Sequence, residues 1–287
     1  MAAPLICPQT APAPALFSVR GLRLSFPDTA HKPLFAPAPR IEVLKGLDLD
    51  LPRGQITGIV GESGSGKSTL GRVLVRLLRP DAGQVLLNGQ DIATLDEAAL
   101  RPLRRNLQMI FQDPMSSLNP RHKIWRIVAA PLARYANDTS TRNASAARRD
   151  QALRALERVG LDPSFGERYP HELSGGQRQR VGIARAIALE PEFILADEIV
   201  SGLDVSSQAQ VLSLLKSLAQ EMNLTIAFIS HDLSVIRHLC DNVIVLNRGE
   251  ILENGPVEQV FAAPQSEITR LLLDAIPLPE LDDKWFD

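Results

Sequence analysis

QITGIVGESGSGKSTL, residues 55–70, decides how the rest of the chain is read. QITGIV (55–60) is a short apolar run fit for a buried strand, and STLGRVLVRLLR (68–79) has helical periodicity. Between them GESGSGKS (61–68) matches G-x-x-x-x-G-K-[ST] in the strand–loop–helix setting that the motif requires. Gly61, Gly64 and Gly66 let backbone N–H groups curl around phosphate oxygens without side-chain clash. Lys67 supplies a cation for β/γ-phosphates and Ser68 a hydroxyl for Mg²⁺. The whole stretch Gly61, Glu62, Ser63, Gly64, Ser65, Gly66, Lys67, Ser68 and Thr69 is the candidate nucleotide site. A tight glycine turn without chemistry would leave the lysine and the hydroxyl unexplained.

Working outward, LFSVRGLRLSF (16–26) and IEVLKGLDLDL (41–51) read as strands flanking a Pro-rich insertion at 27–40, and GQVLLNG (83–89) and LQMIF (107–111) as two more. From about 116 to 190 the chain is rich in helix, clearest in IWRIVAAPLARY (124–135) and SAARRDQALRALERVG (145–160). Strands return at EFILAD (192–197), LTIAFIS (224–230) and NVIVLN (242–247), separated by helices near 205–221 and 232–240. Such alternation predicts an α/β fold with a largely parallel sheet covered on both faces, and a helical subdomain inserted at about 112–185. The expected organisation is a disordered arm at 1–15, broken by Pro4, Pro8, Pro12 and Pro14, a core at 16–265 and a tail at 266–287.

Composition narrows the function classes. The 31 basic and 33 acidic residues give a net charge of −2, which argues against a dedicated nucleic-acid binder. Cys7 and Cys240, each without a nearby cysteine or histidine at ligand spacing, read as free thiols. No apolar run reaches the length of a membrane span, so a membrane role is expected to be peripheral, through partners.

A second candidate site is FILADE (193–198). Asp197 emerges at the carboxyl end of a buried strand, where ligands bind in such sheets, and suits Mg²⁺. Glu198 then faces a different direction and suits a base that orients and deprotonates a water at a γ-phosphate. The alternative is a pair of helix-capping carboxylates.

A third is HELSGGQRQR (171–180), in which two glycines precede a helical stretch expected at 177–189. LSGGQ (173–177), following a phosphate loop and followed by FILADE, resembles the nucleotide-binding subunit of an ATP-binding cassette (ABC) protein. The likeness spans roughly residues 16–275 and implies a P-loop NTPase core with an antiparallel β portion. In that family two cassettes pair head to tail, and the LSGGQ of one closes over the ATP held by the other. Ser174, Gly175, Gly176 and Gln177 would then meet the opposite subunit's γ-phosphate at a helix N-terminus. Capping by Ser174 alone would not explain Gln177.

The resemblance also carries single positions. Gln112 in MIFQDP is similar to the glutamine that touches Mg²⁺ and the attacking water, and His231 in ISHD to the switch histidine at the γ-phosphate. Asp204 in SGLD matches the aspartate of a loop crossing the dimer interface, and Phe26, with Phe35 as rival, the aromatic that stacks on adenine. Where relatives have DEPVSALD, this chain has Ile199 and Gly202, a change in loop stiffness and not in catalytic atoms.

FQDPMSSLNPR (111–121) narrows the likeness to the oligopeptide/dipeptide importer branch, and ITRLLLDAIP (268–277) resembles that branch's tail with Ile268 in a tyrosine's place. That branch implies an ATPase energising an importer of peptides, with nickel, glutathione or opines as alternative solutes, and no iron–sulfur cluster in this chain. It further implies a second cassette of the same or unlike kind, two membrane permease subunits, a solute-binding protein met indirectly, and a place on the cytoplasmic face of the inner membrane. A non-transport ABC ATPase is the other reading; the 107 positions from Lys67 to Ser174 leave no room for the long coiled coil of repair-type members.

Overall fold

Ile56–Val60 is buried at every residue, and so are Phe193–Asp197 and Thr225–Ile229. A strand with no exposed face belongs in the middle of a sheet covered on both sides. The computed structural model, which describes residues 14–28, 38–135 and 142–274, has that arrangement. Its strands are β1 (Ala15–Pro27), β2 (Arg40–Pro52), β3 (Ile56–Val60), β4 (Ala82–Leu87), β5 (Gln90–Asp91), β6 (Leu107–Ile110), β7 (Phe193–Asp197), β8 (Thr225–Ile229), β9 (Asn242–Asn247) and β10 (Glu250–Pro256). Six form one sheet in the order β10-β9-β3-β8-β7-β6, parallel except for β10. The other four form an antiparallel sheet, β2-β1-β4-β5.

The helices are α1 (Lys67–Leu74), α2 (Glu97–Leu103), α3 (Pro114–Ser117), α4 (Ile124–Tyr135), α5 (Arg142–Arg158), α6 (Gly175–Ile187), α7 (Val205–Met222), α8 (Leu233–Leu239), α9 (Val257–Ala262) and α10 (Glu267–Asp274). Side chains of the parallel strands divide by alternation between two cores. Ile194 and Ala196, Ile226 and Phe228, and Val243 and Val245 join the core that runs into α4, α5 and α6. Their neighbours Phe193, Leu195, Ala227, Ile229, Ile244 and Leu246 join α1 and the antiparallel sheet. Phe17 and Phe193 meet edge to face at 4.8 Å across that second core, tying the two sheets together.

The α/β expectation holds, with adjustments to individual elements. α6 begins at Gly175, two residues before the expected start, because Ser174 caps it and both glycines enter the first turn. β5 and β10 were not anticipated; one has two residues and the other is polar and lies at a sheet edge. The tail begins with a helix, α10, and the N–H groups that precede it, those of Gln265 and Ser266, donate to the Glu253 carboxylate at 3.1 and 2.7 Å. The proposed arm, apart from Pro14 and Ala15, and the tail beyond Asp274 lie outside the described residues, as do Cys7 and Phe35. Cys240 is a buried free thiol, and burial raises its pKa. No described helix is long and apolar enough to cross a membrane.

Candidate nucleotide site

The strand–loop–helix reading of residues 55–70 is realised as β3, the loop and α1. A cleft of about 360 Å³ is lined by the loop residues Ser63, Gly64, Gly66, Lys67, Ser68 and Thr69, together with Val43, Glu198 and His231. Gly66 occupies the N-cap of α1 at φ 107° and provides no side-chain cap. The first N–H groups of α1 are thus left for an outside acceptor, the arrangement that binds anions.

Loop shape is enforced from behind. Gly61, at φ +147°, lies so close to β9 that a Cβ would fall 1.9 Å from the Leu246 carbonyl oxygen. The turn after β9 also braces the loop: the Gly249 N–H donates to Ser65 O at 3.0 Å, and the Lys45 N–H donates to Gly249 O at 2.9 Å. Gly61→Ala is therefore expected to lower the melting temperature and weaken nucleotide binding together, at a cost of several kcal/mol because backbone must shift. Differential scanning fluorimetry with and without ATP checks this, and an unchanged melting temperature refutes the packing argument.

Lys67 Nζ donates to the carbonyls of Gly61 and Glu62, each at 2.8 Å. Burial lowers its pKa, and the nearby Glu198 and Asp197 charges oppose that shift. Ser68 Oγ donates to Asp197 Oδ1 at 3.0 Å, so the first and second candidate sites meet. Asp197 is 4% exposed, and burial raises its pKa above the ordinary carboxylate range, with the Ser68 hydrogen bond acting in the opposite sense.

A carboxylate that is ionised at neutral pH in a place less well solvated than water destabilises the fold. The folded state binds the proton more tightly, so stability falls as pH rises from the ordinary carboxylate pKa through the raised one. Asp197→Asn, which keeps an oxygen for Ser68, is expected to raise the melting temperature by roughly 1–3 °C at neutral pH in chelator. The gain should shrink on acidification below the raised pKa. A lower melting temperature at neutral pH would contradict the assignment.

Glu198 follows Asp197 with φ +49°, an uncommon left-handed conformation for a side-chain-bearing residue. Its N–H donates to Ile229 O at 3.0 Å. Its Oε2 accepts from Gln112 Nε2 at 2.8 Å, and its Oε1 lies 3.8 Å from His231 Nδ1. Gln112, Glu198 and His231, scattered over 120 positions of sequence, thus converge at the mouth of the phosphate loop.

Two residues escaped sequence reading. Val43 lines the cleft, and Ile41, two positions earlier on β2, stands directly opposite Phe26 of β1. Phe26 is 38% and Ile41 54% exposed. The register shifts between the Leu24–Leu44 and Ser25–Glu42 pairs and leaves Val43 as the extra residue of β2, so Val43 reaches the cleft from a bulge, and the exposed Phe26–Ile41 pair stands two residues before it. Phe26 itself does not line the cleft. The available signal was two apolar residues, Ile41 and Val43, at the start of a strand whose pairing partner and bulge could not be read from sequence.

The LSGGQ stretch lies elsewhere. Ser174 Oγ accepts from the Gln177 N–H at 3.3 Å, and Gln177 Oε1 accepts from the Ser174 N–H at 2.9 Å. This reciprocal capping box gives Gln177 the very job that capping was expected not to explain. The helix end opens into its own cavity of about 420 Å³, lined by Ser174, Gly176, Gln177, Arg180, Asp162 and Ser207 among others, and no residue is shared with the phosphate-loop cleft. Asp204 caps α7, accepting from Ser207 N and Ser207 Oγ at 2.9 and 2.7 Å, and these bonds hold its pKa low. Ile199 is buried and Gly202 takes φ +78°, a backbone setting that suits glycine at the place where alanine was expected.

Comparison with known proteins agrees with this geometry. The ABC transporter family profile matches residues 44–201. A putative peptide import ATP-binding protein of Brucella ovis is 48% identical over 267 residues, covering 93% of this chain and 80% of that protein. The oligopeptide transport ATP-binding protein AppF of Bacillus subtilis is 48% identical over 83% of this chain and 71% of its own. Among solved structures, the ATP-binding cassette MJ0796, a dimer in a post-hydrolysis state bound to ADP and Pi, superposes with a TM-score of 0.71 at 30% identity, covering 84% of this chain and 98% of that one. The profile spans more than half of the chain and includes both the phosphate loop and the LSGGQ helix, and on that ground the chain belongs to the ABC transporter family.

Proposed function

We propose that this chain is the ATP-hydrolysing subunit of a peptide importer, working as one of two cassettes that share ATP between them. The observation that carries the shared arrangement is the separation of two anion-fitting surfaces. The phosphate loop and the Ser174 end of α6 open into different cavities of one chain, so one triphosphate reaches both only when a second cassette supplies the other. The dimeric cassette among the structural neighbours supports the same reading. The solute class rests on relatives named for peptide and oligopeptide import, together with FQDPMSSLNPR.

In this reading Gly61 to Thr69 hold the phosphates, with Lys67 leaving the Gly61 and Glu62 carbonyls for the β/γ-phosphates. Phe26, Ile41 and Val43 form the platform for the base. Glu198 takes the proton of the attacking water, with Gln112 and His231 orienting it. Ser68 and Asp197 fit Mg²⁺: both offer hard oxygens, they already meet at 3.0 Å, and burial leaves the carboxylate short of solvation that a cation replaces. Gln112 completes that donor set. The ion would neutralise charge developing on the phosphates. Asp204 steadies the loop toward the partner cassette by capping α7.

Hydrolysis removes the shared phosphate and lets the cassettes part. The layer of α4, α5 and α6 passes that movement to two permease subunits, with a solute-binding protein acting beyond them at the inner membrane. Specific ATPase activity is expected to rise with the concentration of the chain, alone or titrated with its partner cassette. Specific activity independent of concentration over a wide dilution series rejects a shared site.

A further inference from the structure

Gln112 sits on a segment, Phe111 to Ser117, that α6 holds at both ends through one side chain. Arg185, in the last turn of α6, donates from Nη1 to Ser117 O at 2.6 Å. The same guanidinium lies 5.7 Å from the centre of the Phe111 ring. Its Nη2 is buried and has no hydrogen-bond partner in this arrangement. A buried donor left without a protein acceptor is costly, so the Ser117 bond and the Phe111 ring are the contacts of this guanidinium that the segment provides. At the opposite end of α6, about 16 Å away by helix rise, is the Ser174 cap.

We propose that Arg185 is a positioning residue that fixes the reach of Gln112 toward Glu198 and couples it to the Ser174 end of α6. Its guanidinium lies beside the Phe111 ring at the start of the Gln112 segment and holds Ser117 O at the end by one N–H, so a shift of α6 moves Gln112 with it. A lysine has neither the flat face nor the fork. The inference rests on the catalytic reading of Glu198 and Gln112 given above, and adds a connection between the two halves of the shared site.

The test is a double-mutant cycle on the full chain, reading kcat and KM for ATP. Arg185→Met is expected to lower kcat by about 10- to 100-fold, the scale of a misplaced positioning group, with KM changed less than about twofold. Added to Gln112→Ala, it should cause no further loss of kcat, because its effect passes through Gln112. Phe111→Leu, at a residue 44% exposed and so without consequence for folding, should lower kcat by a smaller factor and also be silent in the Gln112→Ala background. Arg185→Lys should fall between wild type and Arg185→Met. Losses that multiply with Gln112→Ala, or wild-type kcat in Arg185→Met, overturn the proposal. Should Arg185→Met fail to fold, Phe111→Leu and Arg185→Lys decide in the same cycle. A Glu198→Gln chain that still hydrolyses ATP would instead remove the underlying catalytic reading, so the two failures are distinguishable.

Discussion

A Glu198→Gln chain is expected to hold ATP with nearly unchanged affinity and to hydrolyse it about 10²- to 10⁴-fold more slowly, the range contributed by a positioned general base. Residue 198 is at φ +49°, where a side-chain-bearing residue costs about 1 kcal/mol or more relative to glycine. Backbone conformation alone would favour glycine here, yet the residue is a glutamate that meets Gln112 and lies close to His231. Glutamine keeps an oxygen for Gln112 and the same volume, so geometry survives while proton acceptance is lost. Glu198→Gly supplies the control. It should be as inactive as Glu198→Gln but melt at a higher temperature, because the left-handed backbone no longer carries a Cβ. Rapid hydrolysis by Glu198→Gln would remove Glu198 from the chemistry. A Glu198→Gly chain less stable than wild type would show that the carboxylate is there for the fold.

How much of this was legible in sequence follows from the range of the interactions. β3, β7, β8 and β9 could be located because burial on both faces writes a continuous apolar run into five or six neighbouring residues. The phosphate loop was legible for the same local reason: eight consecutive residues carry the glycines, the lysine and the hydroxyl. Ile41, Val43 and Gly249 act through contacts with chain distant in sequence. The Gly249 brace depends on β2 and the loop at once, with Lys45 on one side and Ser65 on the other, and nothing in the tripeptide Arg248–Gly249–Glu250 announces either partner. Gln177 shows the converse difficulty. Its motif is recognisable, but reading Ser174 alone as the cap leaves Gln177 unexplained, although serine followed three residues later by glutamine is a local signature of a helix start. Two roles can share one residue, and the familiar one hid the other.

Gly176→Asp is the substitution that separates the chain's own needs from those of a partner. A Cβ on Gly176 would meet only Ser207 Oγ and Cβ, at 3.4 and 3.5 Å, and one on Gly175 only Leu203 Cδ2 at 3.5 Å. These are ordinary contacts, and both residues lie within α6. Alanine is preferred over glycine inside a helix by up to about 1 kcal/mol, so the isolated fold would gain from losing either one. Aspartate in the first turn is also favourable to the helix dipole. The isolated Gly176→Asp chain is therefore expected to melt no lower than wild type and to bind ATP at its own phosphate loop with unchanged affinity. Its carboxylate would stand where the partner's γ-phosphate must arrive. Two like charges about 4 Å apart at an effective dielectric of 20 repel by about 4 kcal/mol, which corresponds to roughly a 10³-fold loss of closed pairs and of turnover. Sedimentation of the hydrolysis-deficient Glu198→Gln chain with and without Gly176→Asp, under ATP and with its partner cassette, reads this directly. Undiminished association would place nothing anionic at α6, and weaker ATP binding by the isolated chain would mean that the glycines serve their own protomer.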